Sequence, residues 1–87
     1  MNISIETIAK NVSSPGWEIL LLLSENEYLP HMEIKNITKL NQMKAQVEIA
    51  RLEGAVLIKS VRSEEDRRSI NYSITDYGLE VLKRKKG

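Results

Sequence analysis

The apolar positions of this chain repeat at helical spacing through its first half and switch to a two-residue period near the end. Ile5, Ile8, Ala9 and Val12 recur at intervals of three, one and three, the stripe of a short helix, with Ser4 available as its cap. The run Trp17–Leu23 is apolar nearly all round, with Trp17, Leu20 and Leu21 on one face and Ile19, Leu22 and Leu23 on another. It predicts a helix covered on both sides, entered through the capping Ser14 and the first-turn Pro15 and running to about Glu25. Tyr28-Leu29 ahead of Pro30 reads as a short extended piece.

A shorter helix is expected over His31–Thr38, with Ile34 and Ile37 three apart, followed by the tight segment Lys39-Leu40-Asn41. The next helix spans roughly Asn41 to Gly54, with Asn41 as cap, Ala45, Ile49 and Leu52 facing inward, and Gly54 suited to a left-handed end. Leu40 can fill the angle between the two, as a helix-turn-helix requires. Beyond it, Val56-Leu57-Ile58-Lys59-Ser60-Val61-Arg62 is a β-branched run. In the second run, Ile70, Tyr72 and Ile74 alternate with Asn71 and Ser73, so the strand has one apolar and one polar face. The connecting Ser63-Glu64-Glu65-Asp66-Arg67 is too polar to bury and suits a hairpin tip.

These elements predict an α+β, mostly helical fold: a winged helix-turn-helix with a two-stranded β-hairpin wing and short flanking terminal helices. It forms one domain over residues 1–87. The N-terminal helix falls within 1–13, the helix-turn-helix within 31–54, the wing within 56–75, and a C-terminal helix with a basic tail within 76–87.

The candidate chemistry lies on the helix-turn-helix and the wing. The face opposite the inward stripe carries Gln42, Lys44, Gln46, Val47 and Arg51, with Asn41 at the helix start, and long amide and cationic side chains are the types that read base edges and phosphates in a major groove. A merely solvated helix face has a similar composition. Arg62, Arg67 and Arg68 flank the tip of the wing.

The run Asp66-x-Arg68-Ser69 followed after four residues by Ile74-Thr75-x-x-Gly78, together with Arg51-Leu52-Glu53 and the Val56-Leu57-Ile58 strand, resembles the MarR family of winged helix-turn-helix transcription regulators. The resemblance extends in outline back to Trp17. It implies that the second helix of the pair enters the major groove. It also makes Arg68 the minor-groove candidate, oriented by Asp66 through a charge-assisted hydrogen bond. A surface ion pair that steadies the turn is the alternative for those two residues. Two departures stand out. The family places a glycine directly before Leu-Ile or Leu-Val, where this chain has Val56 and carries its glycine two residues earlier at Gly54. The family's longer terminal helices build a dimer and a small-molecule pocket, and here those helices are short, so an effector is left open.

Composition suits a compact binding module. A chain of 87 residues forms one domain and buries only about 60–65 % of its unfolded surface, so association would add useful stability. Without cysteine there are no disulfides, thiolate metal sites or cysteine nucleophiles. The N-terminus lacks the basic start of a secretory signal and no stretch is long enough to span a bilayer, so a cytoplasmic protein is expected. The net charge of +1 says little about nucleic acid, and placement says more: Lys35, Lys39, Lys44 and Arg51 in the helix-turn-helix, arginines at the wing, and Lys83-Arg84-Lys85-Lys86 at the end. That last run also suits a helix C-terminus, where cations complement the macrodipole.

An excess of apolar helix surface predicts a two-fold homodimer through Ile5, Ile8, Val12, Ile19, Leu22, Leu23, Leu79 and Leu82, with ordinary core as the simpler reading for any one of them. Catalysis is not expected. His31 is the single histidine, and no nucleophile elbow or phosphate loop occurs, so neither a metal nor a cofactor is implied. The expected partner is double-stranded DNA, read sequence-specifically by a small transcription regulator. The rival readings are a winged helix used for protein interaction or assembly, and a low-specificity architectural DNA-binding protein.

Overall fold

A computed structural model describes residues 5–62 and 70–86, with side chains as far as Arg84. Among the described residues five helices surround a small antiparallel sheet in the order α1 (Ile5–Asn11), α2 (Ser14–Ser24), β1 (Leu29–Pro30), α3 (His31–Thr38), α4 (Gln42–Gly54), β2 (Ile58–Arg62), β3 (Ile70–Ile74) and α5 (Asp76–Lys86). The two runs on either side of the polar tip pair as expected, with Ile58 opposite Ile74, Ser60 opposite Tyr72 and Arg62 opposite Ile70. The sheet has a third strand that the sequence left as an isolated extended piece: Leu29 and Pro30 pair with Tyr72 and Asn71, giving the order β1-β3-β2. An edge position tolerates Pro30, which cannot donate to a ladder on both sides. Pro30 then serves as the extended N-cap residue of α3.

One core joins all five helices to the sheet. Ile19, Leu20 and Leu23 of α2, Ile34 of α3, Ile49 and Leu52 of α4, Leu57, Ile58, and Val81 and Leu82 of α5 are buried together. Each such side chain contributes about 1.5–3 kcal/mol relative to leaving it in water. Ile5, Ile8 and Val12 of the first segment, Trp17, and Tyr72 and Ile74 of β3 close the edges of this cluster. Leu40 also packs against it from between α3 and α4, as its place in the helix-turn-helix requires. Ile37 does not. It is 51 % exposed, because α3 meets α2 and α4 only along the Ile34 line.

The helix ends depart from the sequence reading at two points. Ser13, not Ser14, caps α2: its Oγ accepts the Gly16 N–H at 3.1 Å. Gly54 is the last helical residue, and the left-handed position falls two residues later on Val56, with φ 64°. There the Val56 N–H bonds to the Glu53 carbonyl and the Leu57 N–H to the Leu52 carbonyl, both at 3.0 Å, the paired closure that normally seats a glycine. Val56 therefore starts a turn rather than β2, which begins at Ile58.

Thr75 ties this turn to α5. Its backbone N–H bonds the Leu57 carbonyl at 3.0 Å, and its hydroxyl lies 2.7 Å from the Val56 carbonyl oxygen and 3.0 Å from that of Leu57. The same hydroxyl accepts the Gly78 N–H at 3.0 Å, which makes Thr75 the cap of α5. The Thr75-x-x-Gly78 spacing is thus a helix cap followed by the one residue small enough to lie against the α4–β2 turn.

Candidate nucleic-acid interface

Helix α4 is held from one side only. Asn41 caps it, its side-chain oxygen accepting the Lys44 N–H at 2.7 Å, and Ala45, Ile49 and Leu52 bury its inner face. At about 100° per residue, the line directly opposite that face is Met43, Val47 and Ala50. All three are exposed, Met43 by 76 % and Val47 by 41 %. Gln42 and Gln46 lie to one side of this line, and Lys44 and Arg51 to the other. The sequence placed Gln42, Lys44, Gln46, Val47 and Arg51 together on one outer face. The structure separates them into an apolar ridge with an amide flank and a cationic flank. The start of α4, Asn41 to Lys44 with Val47, lines an open depression of about 620 Å³.

Glu48 is the residue that sequence reading missed. It belongs to the inner face, only 2 % exposed, and is the one buried charged side chain among the described residues. Ser13 donates its hydroxyl to Glu48 Oε2 at 2.5 Å, so the cap of α2 and the middle of α4 are joined by one hydrogen bond. Around Glu48 Oε1 stand Lys44 Nζ at 3.7 Å and an Arg51 guanidinium nitrogen at 3.5 Å, longer than hydrogen bonds, leaving that oxygen buried with only ion-pair partners. Because a buried carboxylate needs compensation, both cations are drawn to its side of the helix. The i, i+4 and i+3 spacing of positions 44, 48 and 51 was the available signal.

The strand pair brings Arg62 beside Ile70 at the far end of the described ladder, both exposed. Asp66, Arg67 and Arg68 lie outside the described residues. At the other end of the molecule α1 packs on α5, and Arg84 bonds Glu6 across them at 2.7 Å, so one cation of the terminal basic run is already engaged. Of the residues expected at a dimer interface, Ile19, Leu23 and Leu82 are core of the single chain, at 0, 0 and 7 % exposure, and have no surface to offer a partner. Covering by the other elements of the same chain accounts for that part of the apolar excess. Ile5, Ile8, Val12 and Leu22 keep intermediate exposure, and Leu79 is 38 % exposed. Ile8 and Val12 also line a cleft of about 380 Å³ between α1 and α4, with Leu52 and Leu57 on its walls and Arg51 beside it. Among the described residues no cluster of side chains could hold a metal ion, and no helix is long and apolar enough to cross a membrane.

A helix pair joined at Leu40, a second helix presented outward, and a strand pair beside it define a winged helix-turn-helix. Solved structures of transcriptional regulators share this fold. The chain superposes on Lactococcus lactis ZitR with a TM-score of 0.80 at 26 % identity, covering 87 % of this chain and 51 % of that one. The PcaV transcriptional regulator of Streptomyces coelicolor gives 0.81 at 25 % identity over 86 % of this chain and 55 % of that one. The transcriptional regulator BldR of Sulfolobus solfataricus gives 0.79 at 27 %, over 85 % and 52 %. A further ZitR structure, 23 % identical with a TM-score of 0.76, is described as a zinc-responsive MarR family member. The chain thus spans about half the length of the regulators it matches. No family model and no curated protein sequence matches it.

Proposed function

We propose that this chain binds double-stranded DNA sequence-specifically as a transcription regulator, with α4 in the major groove and the wing arginine Arg68 at the minor groove. The observation that carries this reading is the one-sided anchoring of α4: Ala45, Glu48, Ile49 and Leu52 are buried while every other residue from Asn41 to Gly54 is exposed. Such a helix can enter a groove about 12 Å wide without unpacking. The likeness to transcriptional regulators supports it. Asn41, Gln42, Gln46 and Val47 face base edges, Lys44, Arg51, Arg62 and Arg67 meet phosphates, and Asp66 orients Arg68. A homodimer through Ile5, Ile8, Val12, Leu22 and Leu79 would set two α4 helices about 34 Å apart, the repeat of one DNA turn.

The exposed Met43 and Val47 favour a second reading, in which the same helix docks on another protein. Electrophoretic retardation of random duplex DNA at low salt separates the two. The DNA-binding reading expects a shift that weakens steeply as salt rises, because bound cations release counterions from the phosphates. No shift at any protein concentration would favour the assembly module. Sedimentation of the free protein across a concentration series reads the dimer.

A further inference from the structure

We infer that α4 reads thymine methyl groups and adenine edges, so that the major-groove site of this protein is rich in A·T pairs; this rests on the DNA-binding reading above. The line of α4 farthest from the core is Met43, Val47 and Ala50, and that line penetrates deepest when the helix lies in a groove. None of these side chains can hydrogen-bond a base. What an aliphatic side chain can contact on the major-groove floor is the C5-methyl group of thymine.

The flanks agree with this assignment. Gln42 and Gln46 are exposed on one side, and an amide matches the paired donor and acceptor of adenine at N6 and N7. Guanine calls for an arginine or lysine aimed at O6 and N7. The two cations described on α4, Lys44 and Arg51, both stand within 3.7 Å of the buried Glu48 carboxylate, on the flank rather than the ridge. Held there, they lie where the helix meets the walls of the groove, toward phosphates. Their charge also argues for a polyanion over an apolar protein surface as the occupant of the ridge. Thymine contacts from the ridge and adenine contacts from the amide flank are the two halves of the same base pair.

The test takes the tightest fragment selected from a pool of random duplexes and remakes it with deoxyuridine in place of thymidine, which removes the methyl and leaves pairing intact. Affinity should fall about fourfold for each contacted methyl, the effect of exposing one buried methyl-sized group. Val47→Ala and Met43→Ala, both at exposed positions, should shrink the ratio between the two probes while the unfolding temperature stays unchanged. Equal binding of the thymidine and deoxyuridine probes by the native protein, an undiminished ratio in both variants, or a selected site dominated by G·C pairs would each overturn the inference and leave DNA binding standing. A protein that retards no duplex at low salt would remove both.

Discussion

Gly78 lies against the carbonyl oxygen of Leu57 so closely that a β-carbon there would stand 2.2 Å from it. That oxygen already accepts the Thr75 N–H, so it cannot move away without breaking the bond that ties the α4–β2 turn to α5. Gly78→Ala should therefore destabilise the fold by about 1–3 kcal/mol or more, the cost of overpacking against backbone. Urea denaturation reads it, and an unchanged midpoint would show that the turn yields freely.

Val56 presents the reverse situation. Its φ of 64° places a β-branched side chain in the left-handed region, which costs about 1–2 kcal/mol. The side chain is 64 % exposed, so little packing is lost with it. Glycine frees the backbone but adds about 0.5–1 kcal/mol of unfolded-state entropy. Val56→Gly should still stabilise by about 0.5–1 kcal/mol, seen as a raised Tm. A lowered Tm would mean that the turn depends on the valine side chain.

Ser13 and Glu48 join α2 to α4 through a single hydroxyl that both accepts and donates. Ser13→Ala removes the cap and strands a buried carboxylate oxygen, so a loss of about 1–3 kcal/mol is expected in thermal or urea unfolding. Glu48→Gln keeps an acceptor for Ser13 and deletes the charge that holds Lys44 and Arg51. With the cations released, DNA affinity at low salt should rise by up to about fivefold, the equivalent of one exposed ion pair. Weaker binding by Glu48→Gln would mean that the carboxylate aims the two cations productively.

Tyr72 supplies the pH dependence. Burial, and then the negative charge of Glu53, raise its pKa above the usual 10.0, since both oppose the phenolate. The folded state therefore binds the proton more tightly than the unfolded chain. This contribution is fully present below pH 10 and is lost as pH climbs through the folded-state value. Thermal unfolding from pH 8 upward should show a decline beyond about pH 10 that is shallower in Tyr72→Phe. Identical alkaline declines in the two proteins would rule out this source.

The DNA-contact assignments divide by what they do to sequence preference. Lys44→Ala should weaken binding to all sequences alike and reduce the salt slope by about one, whereas Arg68→Ala should weaken binding through loss of the minor-groove contact. Gln42→Ala and Gln46→Ala should cost about 1–3 kcal/mol on the selected site and relax its sequence preference. Competition binding against selected and random duplexes distinguishes the two patterns. Unchanged affinity in all four variants would place the groove-facing surface elsewhere.

The amino-acid sequence by itself determined the helices, the pairing of the run 56–62 with 70–74 apart from its start, which packing moved to Ile58, and the plug at Leu40. Each depends on apolar periodicity or turn chemistry over a few residues, and that information is local. Asn41 as the cap of α4 was legible for the same reason. Tertiary structure alone decided that Glu48 is buried, because its partner Ser13 lies 35 positions away. Packing also moved the cap of α2 from Ser14 to Ser13 and left Ile37 in solvent. It absorbed Ile19, Leu23 and Leu82 into a single-chain core and placed a valine where the α4–β2 turn needs positive φ. The recognition surface shows the difference most clearly. Period alone sorts the outward residues around α4, but the drawing of Lys44 and Arg51 to one flank depends on the buried Glu48, and its burial is set by contacts far apart in the chain.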